Sequence, residues 1–417
     1  ILIKSSARIW GNTNSDYTTN LGDITLWANS DNAATGDNAG NIYLNNQTDF
    51  NTLNGVFAAT TTAYASPWGS LSATTGGDIT LGGGLALGTT GDDRYKPAGY
   101  AYSGNSADMA IRLGTSPDSF IMYSGGGDIS IKGAYNHATS SQVAVMTIGG
   151  TVINSGAGKI FIEGKATGTK GRGLELLYGA NNNGFFFSSG GASKTDSAIT
   201  IRGSTLDPGE TGILAAYWSN EPNNLLMQAT GAGGILLEGT AVAAGSKYGI
   251  EMNGASLLAN SGDIKVDGGA SGVRMGNWSA YGERANVFGA CSAVVGAVPR
   301  CTNSIISAST SDVLIVGDRV AAPTSGANMV INTTGGVVVE PKGDSFAAAT
   351  SWSSNASGIA NLRVGKDNGL STASVTVGGT QSVVGNIEAY GLDVYPTGSF
   401  TLTGAGTQAS KGMLFKA

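Results

Sequence analysis

One pattern is written four times near the middle of the chain, as FIMYSGGGDISIKG (120–133), TVINSGAGKIFIEG (151–164), LLMQATGAGGILLEG (225–239) and SLLANSGDIKVDGG (256–269). Each copy has a short apolar triplet, a Ser or Thr followed by glycine, and an alternating strand closed by a further glycine. Such self-similarity at a period of a few tens of residues is typical of a repeat protein.

The copies recur at unequal intervals, which indicates loops of different length between them. The alternating strands begin 29 to 39 residues apart, at Ile129, Ile160, Ile199, Ile235 and Ile264. Two further apolar segments follow within a unit, for example LEL (174–176) and FFF (185–187). We therefore predict an all-β, three-sided β-solenoid with three strands per coil and roughly 10–12 coils.

The alternation explains why such coils would stack. In Ile129-Ser130-Ile131-Lys132 the two isoleucines point to one face and the polar residues to the other. One coil cannot bury its apolar row alone, but stacked coils at about 4.8 Å join the rows into one core. We expect the glycines at the corners, where the chain needs positive φ.

Composition supports a solenoid and excludes several classes of function. Glycine supplies 66 of the 417 residues and charged residues only 12%, against about 25% charged residues in ordinary globular domains. A net charge of −6 without a basic run argues against a nucleic-acid partner. No apolar stretch approaches the ~18 residues of a membrane span.

No shift in composition marks a domain boundary, so we predict a single β-solenoid domain over residues 1–417. Long loop insertions are expected at about 51–69, 89–107 and 276–303. The chain starts with ILIKSSARIW, which already resembles part of a coil and has no initiator methionine. We therefore expect it to be part of a longer chain.

Aromatic side chains in these insertions are the candidate binding residues. Protruding loops are where a solenoid usually determines specificity. The candidates are Tyr95, Tyr100, Tyr102, Trp278 and Tyr281.

Two cysteines, Cys291 and Cys301, lie ten residues apart in the third insertion. They form either a loop-closing disulfide in an oxidising compartment or two unpaired thiols, and the Gly- and Pro-containing loop favours the disulfide. His137 is the only histidine, so we predict neither a metal site nor a catalytic triad, and no cofactor. The segment GASKT (191–195) lacks the glycine and helix of a phosphate-binding loop.

Aligning the coils on their alternating strands places five charged residues in one outward column. They are Lys132, Glu163, Arg202, Glu238 and Asp267. The favoured interpretation is a solvated charge ladder that fixes register, since opposite charges on neighbouring strands attract weakly. The alternative is a catalytic pair, Glu238 and Asp267, for polysaccharide cleavage, because glycoside hydrolysis requires two nearby carboxyl groups.

The third strand of each coil is apolar at successive positions, which predicts a sheet covered on both faces. Either the chain's own loops cover the outer face, or a neighbouring chain packs on it laterally. For lateral packing, the contact candidates are Ile121, Phe186 and Val330.

The units GDITL (22–26), GDISI (127–131) and GDIKV (262–266) resemble the repeats of filamentous-haemagglutinin-like exoproteins, secreted adhesins that use two-partner secretion. This resemblance implies a right-handed parallel β-helix, located outside the cell or on the bacterial cell surface, and cell adhesion without catalysis. We therefore expect a secreted adhesin or the subunit of an extracellular fibre. Its partner would be a host-surface glycan or protein, or other copies of itself, and the alternative is a β-helix polysaccharide lyase or glycoside hydrolase.

Overall fold

The computed structural model describes residues 1–12, 14–30, 40–45, 48–52, 74–87, 97–104, 106–115, 119–148, 150–178, 183–215, 224–243, 245, 247–276, 286–291, 308–323, 329–403 and 413–417. Within these ranges the regular structure is β-strand apart from a short 3₁₀ helix, Gly269–Ser271. No helix in the same ranges has the length and apolar character needed to cross a bilayer. The prediction of an all-β fold is confirmed.

Sheet A is a parallel stack to which each successive coil adds one strand. Its strands in order are β1 (Leu2–Lys4), β4 (Ile24–Ala28), β7 (Ile79–Leu87), β12 (Ile129–Tyr135), β15 (Ile160–Ala166), β18 (Ser197–Thr205), β21 (Gly234–Thr240), β24 (Ile264–Asp267), β27 (Val313–Val316), β30 (Val337–Glu340), β32 (Leu362–Val364), β34 (Ile387–Tyr390) and β37 (Met413–Lys416).

Row B follows sheet A in each coil and is also parallel. Its strands are β2 (Ile9–Gly11), β5 (Ile42–Leu44), β10 (Ile111–Leu113), β13 (Val143–Ile148), β16 (Arg172–Tyr178), β19 (Ile213–Ala215), β22 (Ile250–Met252), β25 (Val273–Met275), β28 (Val320–Ala321), β31 (Thr350–Ile359), β33 (Val375–Val383) and β35 (Val394–Pro396).

Row C completes the coil. Its strands are β3 (Asp16–Thr18), β6 (Asp49–Asn51), β11 (Ser119–Tyr123), β14 (Gly150–Asn154), β17 (Asn183–Ser188), β20 (Asn224–Ala229), β23 (Ala255–Ala259), β26 (Asn286–Gly289), β29 (Met329–Asn332) and β36 (Ser399–Leu402).

Rows B and C are one continuous sheet, because two long strands pair with both rows. β31 pairs with β28 and β29, and β33 pairs with β35 and β36. Over the described residues the chain makes twelve turns through sheet A, row B and row C, and β37 starts a further turn. The predicted three-sided parallel β-solenoid is confirmed, with the coil number at the upper end of the predicted range.

The register of sheet A follows the isoleucine pattern of the sequence. Ile129, Ile160, Ile199, Ile235 and Ile264 are neighbours on five consecutive strands. Along β12 and β15, buried residues alternate with half-buried ones. The inward side chains of all coils form one continuous apolar core, as stacking requires.

Two of the predicted insertions contain strands. In the stretch 89–107, β8 (Pro97–Gly99) pairs antiparallel with β7 and β9 (Ala101–Ser103) pairs parallel with β12. In the stretch 276–303, β26 places Phe288 in the core. The predicted loop bounds were therefore too wide, because short strands without an alternating pattern resemble loops in sequence. Residues 53–69 of the first insertion lie outside the described residues.

A column of glycines precedes the strands of sheet A, and close approach rather than positive φ explains most of it. At Gly127, Gly158 and Gly262 an added Cβ would overlap the backbone of the preceding coil. These glycines do not have positive φ, whereas Gly125 and Gly126 in the same corner do. The expectation that corner glycines serve positive φ is therefore only partly correct, since the tight stacking of coils also excludes a side chain.

Aspartate or asparagine directly before the strand forms a second column at this corner. The Asp23 carboxylate accepts the Asp78 N–H at 2.8 Å, and the Asp78 carboxylate accepts the Asp128 N–H at 2.6 Å. Asn361 accepts the Asn386 N–H at 2.8 Å in the same way. In the GDI units at 22–24, 77–79 and 127–129 the aspartate therefore satisfies a backbone donor of the next coil, where row C ends and sheet A begins.

Row C is apolar on both faces, as the triplets predict, but Phe186 faces the core. It lies in register between Ile153 and Met227, and its side chain is fully buried in the main core. The prediction that Phe186 lies on the outer face is wrong, because the alternation of β17 directs Phe185 and Phe187 outward instead.

An outer cluster covers the opposite face of row C. It comprises Val152, Phe185, Phe187, Leu226, Leu258, Val287 and Ala290, with Ile121 and Val330 half-buried against it. Phe185 and Phe187 stack at 6.2 Å between ring centroids. The side chains of Val152, Phe185 and Leu226 are at most 3% exposed in the single chain, so a neighbouring chain is not needed to cover this face.

Candidate functional site

The predicted charged column is present on the outer face of sheet A. Lys132, Glu163, Arg202, Glu238 and Asp267 are neighbours in register on five consecutive strands. Arg202 Nε lies 2.8 Å from Glu238 Oε2, and both side chains are nearly half exposed. This part of the column fits the predicted solvated charge ladder.

Asp267 departs from that prediction, because its side chain is only 4% exposed. Lys342 Nζ lies 2.9 Å and Lys265 Nζ 3.1 Å from its Oδ2 atom. Burial alone would raise the pKa of Asp267, but hydrogen bonds from Lys342, the Gly269 N–H and Lys265 together lower it. Glu238 and Asp267 are thus both occupied by cations, and Asp267 lacks the raised pKa that a general acid requires.

Tyr100, one of the predicted binding residues, lies directly on the charged column. Its hydroxyl donates to Glu163 Oε2 at 2.7 Å and accepts a hydrogen bond from Lys165. Lys165 Nζ lies 4.6 Å from the Tyr100 ring centroid and 3.0 Å from Glu163 Oε1. Burial raises the pKa of the Tyr100 hydroxyl. Sequence analysis named Tyr100 and Glu163 separately, and the fold brings them together.

Tyr102 is the other aromatic candidate among the described residues, and it does not take part in these contacts. Tyr102 is half-buried on β9, in register with Ala134, and its N–H donates to the Gly40 carbonyl at 2.9 Å. Tyr95, Trp278 and Tyr281 lie outside the described residues.

A groove of about 800 Å³ lies on the same face of sheet A, beyond the charged column toward the C-terminal coils. Its floor is a single outward column in which apolar and charged side chains are mixed. In order along the coils these are Leu236, Lys265, Leu314, Val338, Arg363 and Glu388. Strands from β18 to β34 contribute to the lining, so at about 4.8 Å per strand the groove is about 30 Å long.

Lys194 closes one rim of the groove. The segment that contains it crosses several coils: the Lys194 carbonyl accepts the Asp263 N–H at 2.8 Å. The Lys194 Nζ atom lies 2.6 Å from Asp312 Oδ2 and 3.4 Å from Asp263 Oδ1. On the floor, Arg363 Nη2 pairs with Glu340 Oε2 at 2.7 Å.

The two aspartates that share Lys194 have pKa values that are shifted in opposite directions. Burial raises the pKa of Asp263 against the opposing effect of Lys194. At Asp312, burial is outweighed by the hydrogen bonds from Lys194 and the Gly336 N–H, and the pKa is lowered. The rim therefore combines one carboxyl that protonates more easily with one that stays ionised.

The groove residues Lys194, Asp312 and Arg363 are not among the residues predicted from the sequence. Lys194 belongs to the GASKT segment, which resembles only an incomplete phosphate-binding loop. Asp312 occupies the position directly before a strand of sheet A, the same position as Asp128 and Asp263. This recurrence could have identified Asp312 as a corner residue facing the groove.

Of the two cysteines, Cys291 lies among the described residues. Cys291 is disulfide-bonded and half-buried against the outer cluster of row C. Cys301 lies outside the described residues, so its pairing with Cys291 stays a prediction.

Asp49 on row C gives the fold a pH dependence that can be measured. Burial and the neighbouring Asp16 raise the pKa of Asp49 to about 6, whereas an unfolded aspartate titrates near 3.9. Between these values the folded state binds more protons, so stability decreases as pH rises. We expect Asp49→Asn to stabilise the protein by about 1 kcal/mol at pH 7, after allowance for solvent screening, and to have little effect near pH 4.

Chemical denaturation of wild type and Asp49→Asn at both pH values tests this expectation. Asp16→Asn is the control, since it removes the repulsion but leaves Asp49 half-buried, and a smaller gain is expected. An equal difference at pH 4 and pH 7 would contradict the assignment.

No group of three or more potential metal ligands occurs in the described part of the chain. No protein-family model, curated protein or solved structure matches the chain.

Proposed function

We propose that the protein is a secreted cell-surface β-solenoid adhesin, which binds an extended ligand along the outer face of sheet A without catalysis. The groove of about 800 Å³ is the observation that supports this proposal most strongly. Its lining combines apolar side chains with charged and polar groups, the combination expected of a binding site. The resemblance of the repeats to exported adhesins supports the proposed location.

The fibre alternative is less well supported. It depended on a lateral interface at the apolar outer face of row C, but most of that face is buried in the single chain, and Ile121 and Val330 are half-buried there. Phe186 belongs to the core and is therefore withdrawn as a lateral contact.

Leu314→Asp tests the adhesin proposal. Leu314 is half-buried at the middle of the groove floor, so a carboxylate there removes apolar contact and requires desolvation when a ligand binds. We expect adhesion of the labelled protein to cultured host cells to fall about tenfold or more.

Leu206→Asp is the matched control, because Leu206 is 62% exposed and does not line the groove. Its adhesion is expected to equal that of wild type. Equal adhesion of Leu314→Asp and wild type would rule out the groove as the binding surface.

A β-helix polysaccharide lyase or hydrolase is the second candidate. The observation that favours it is the pair of carboxyl groups at the rim, Asp263 and Asp312, whose pKa values are shifted in opposite directions. Such a divergence is a feature of acid and base pairs in hydrolases. If the candidate is right, Asp263→Asn should abolish cleavage of a bound polysaccharide. We favour binding, because Lys194 occupies both carboxylates.

A further inference from the structure

We propose that the groove binds a neutral, extended glycan chain, with sugar rings against the apolar side chains of its floor and hydroxyl groups against its fixed ion pairs. This inference rests on the proposed adhesin function and specifies the chemical class of the ligand. It is carried by the arrangement of charge and apolar surface in the groove.

Among the described residues, the charges of the groups that line the groove nearly cancel. The cations are Lys194, Lys265 and Arg363, and the carboxylates are Asp263, Asp312, Glu340 and Glu388. A polyanion would therefore meet one more negative than positive charge. A polycation would have to compete with Lys194 and Arg363, which already pair with three of the four carboxylates. The charge balance therefore matches a ligand without net charge better than it matches a polyanion or a polycation.

Each of the three cations already has a carboxylate partner within the chain. Lys194 pairs with Asp312, Lys265 with Asp267, and Arg363 with Glu340. An anionic sugar would have to share a cation with the carboxylate that already pairs with it, so the two anionic groups would lie close together and repel each other. Hydroxyl groups can instead use the remaining lone pairs and N–H groups of the intact pairs, because a hydroxyl both donates and accepts.

The floor provides apolar surface at three positions along the groove. Leu236, Leu314 and Val338 are half-buried in one outward column. Leu314 and Val338 are on adjacent strands, about 4.8 Å apart, and Lys265 lies between Leu236 and Leu314. An extended chain of sugar rings that runs along the solenoid axis can place its C–H faces on this column, while a compact ligand would leave most of it exposed to water.

The rim adds polar groups that are held in place. Lys194 is fixed by two aspartates, and Asn361 is tied to the next coil through the Asn386 N–H. Because these groups are already ordered, a ligand does not have to pay for their immobilisation.

The test is a binding measurement on immobilised hexasaccharides, using wild type, Leu314→Asp and Leu206→Asp. The neutral probes are cello-, manno- and galacto-oligosaccharides, and the acidic probes are oligogalacturonate and a heparin fragment. We expect wild type and Leu206→Asp to bind at least one neutral probe, and Leu314→Asp to bind it about tenfold more weakly. Affinity for the neutral probe should change little between about 0.05 M and about 0.5 M salt, because no net charge is exchanged.

Exclusive binding of acidic probes, with affinity that falls as salt rises, would overturn the inference. So would the absence of any glycan binding while cell adhesion still depends on Leu314; in that case the adhesin proposal survives with another ligand. If cell adhesion is also unaffected by Leu314→Asp, both proposals fail. Matching circular dichroism spectra and thermal unfolding of the three proteins show that the variants are folded.

Discussion

Replacing Phe186 by alanine is expected to lower the free energy of unfolding by about 3–5 kcal/mol, the usual effect of removing a buried aromatic ring. Phe186 is fully buried in the main core, between Ile153 and Met227 of the neighbouring coils. Its removal leaves a cavity that the stacked coils on both sides cannot fill, because the backbone register fixes their spacing.

Phe161 in the same coil is the matched control. It is half-buried on the outer face of sheet A, where Lys132 and Arg202 lie 5.5 Å and 5.7 Å from its ring. Phe161→Ala removes these cation–π contacts and some apolar area, so we expect a loss of about 1 kcal/mol. Urea denaturation of both variants measures the difference, and equal losses would mean that the direction of the Phe186 side chain is wrong.

Gly335→Ala is the second substitution for which we expect a large loss of stability, and it tests the tight stacking of the coils. A Cβ atom at Gly335 would overlap the carbonyl oxygen of Ser311 in the preceding coil. That oxygen lies two residues before β27 and accepts a hydrogen bond from the Thr333 hydroxyl at 2.6 Å, so it cannot move away without disturbing the corner. We expect a loss of about 3 kcal/mol in the free energy of unfolding.

The adjacent Gly336→Ala is the control for this prediction. A Cβ there would have Asp312 Oδ1 as its nearest neighbour at 3.5 Å, which is ordinary contact, and Gly336 does not have positive φ. Its substitution should be neutral or slightly stabilising, by up to about 1 kcal/mol. A pair of variants with the same unfolding midpoint would show that close approach does not explain the glycine column.

Sheet A could be predicted from sequence because its pattern is local. Ile129 and Ile131 alternate with Ser130 and Lys132, so two residues suffice to assign the faces of the strand. The same alternation aligned the coils and placed Glu163 beside Arg202, as the structure confirms.

Phe186 was placed wrongly because FFF has no alternation to assign its faces. The corner serine offers the missing signal: Met122, Ile153 and Phe186 each precede a serine by two residues, and all three are in the core. Counting back from Ser188 would have placed Phe186 inward and Phe185 outward.

The groove could not be predicted from the repeat. Lys194 reaches Asp263 and Asp312 because its segment crosses several coils, and a contact over more than a hundred residues leaves no trace in a local pattern. The Tyr100 contact with Glu163 leaves no trace in a local pattern either, since Tyr100 lies between β8 and β9, outside the repeated strands.

The most direct test of non-catalytic binding is the length of a polysaccharide after prolonged incubation with the protein. A neutral polysaccharide that binds wild type is incubated with it, recovered, and sized by chromatography with light scattering. The account predicts that the chain length is unchanged while binding persists. Shortened chains with wild type, but intact chains with Asp263→Asn, would contradict it and identify the rim carboxyl groups as catalytic.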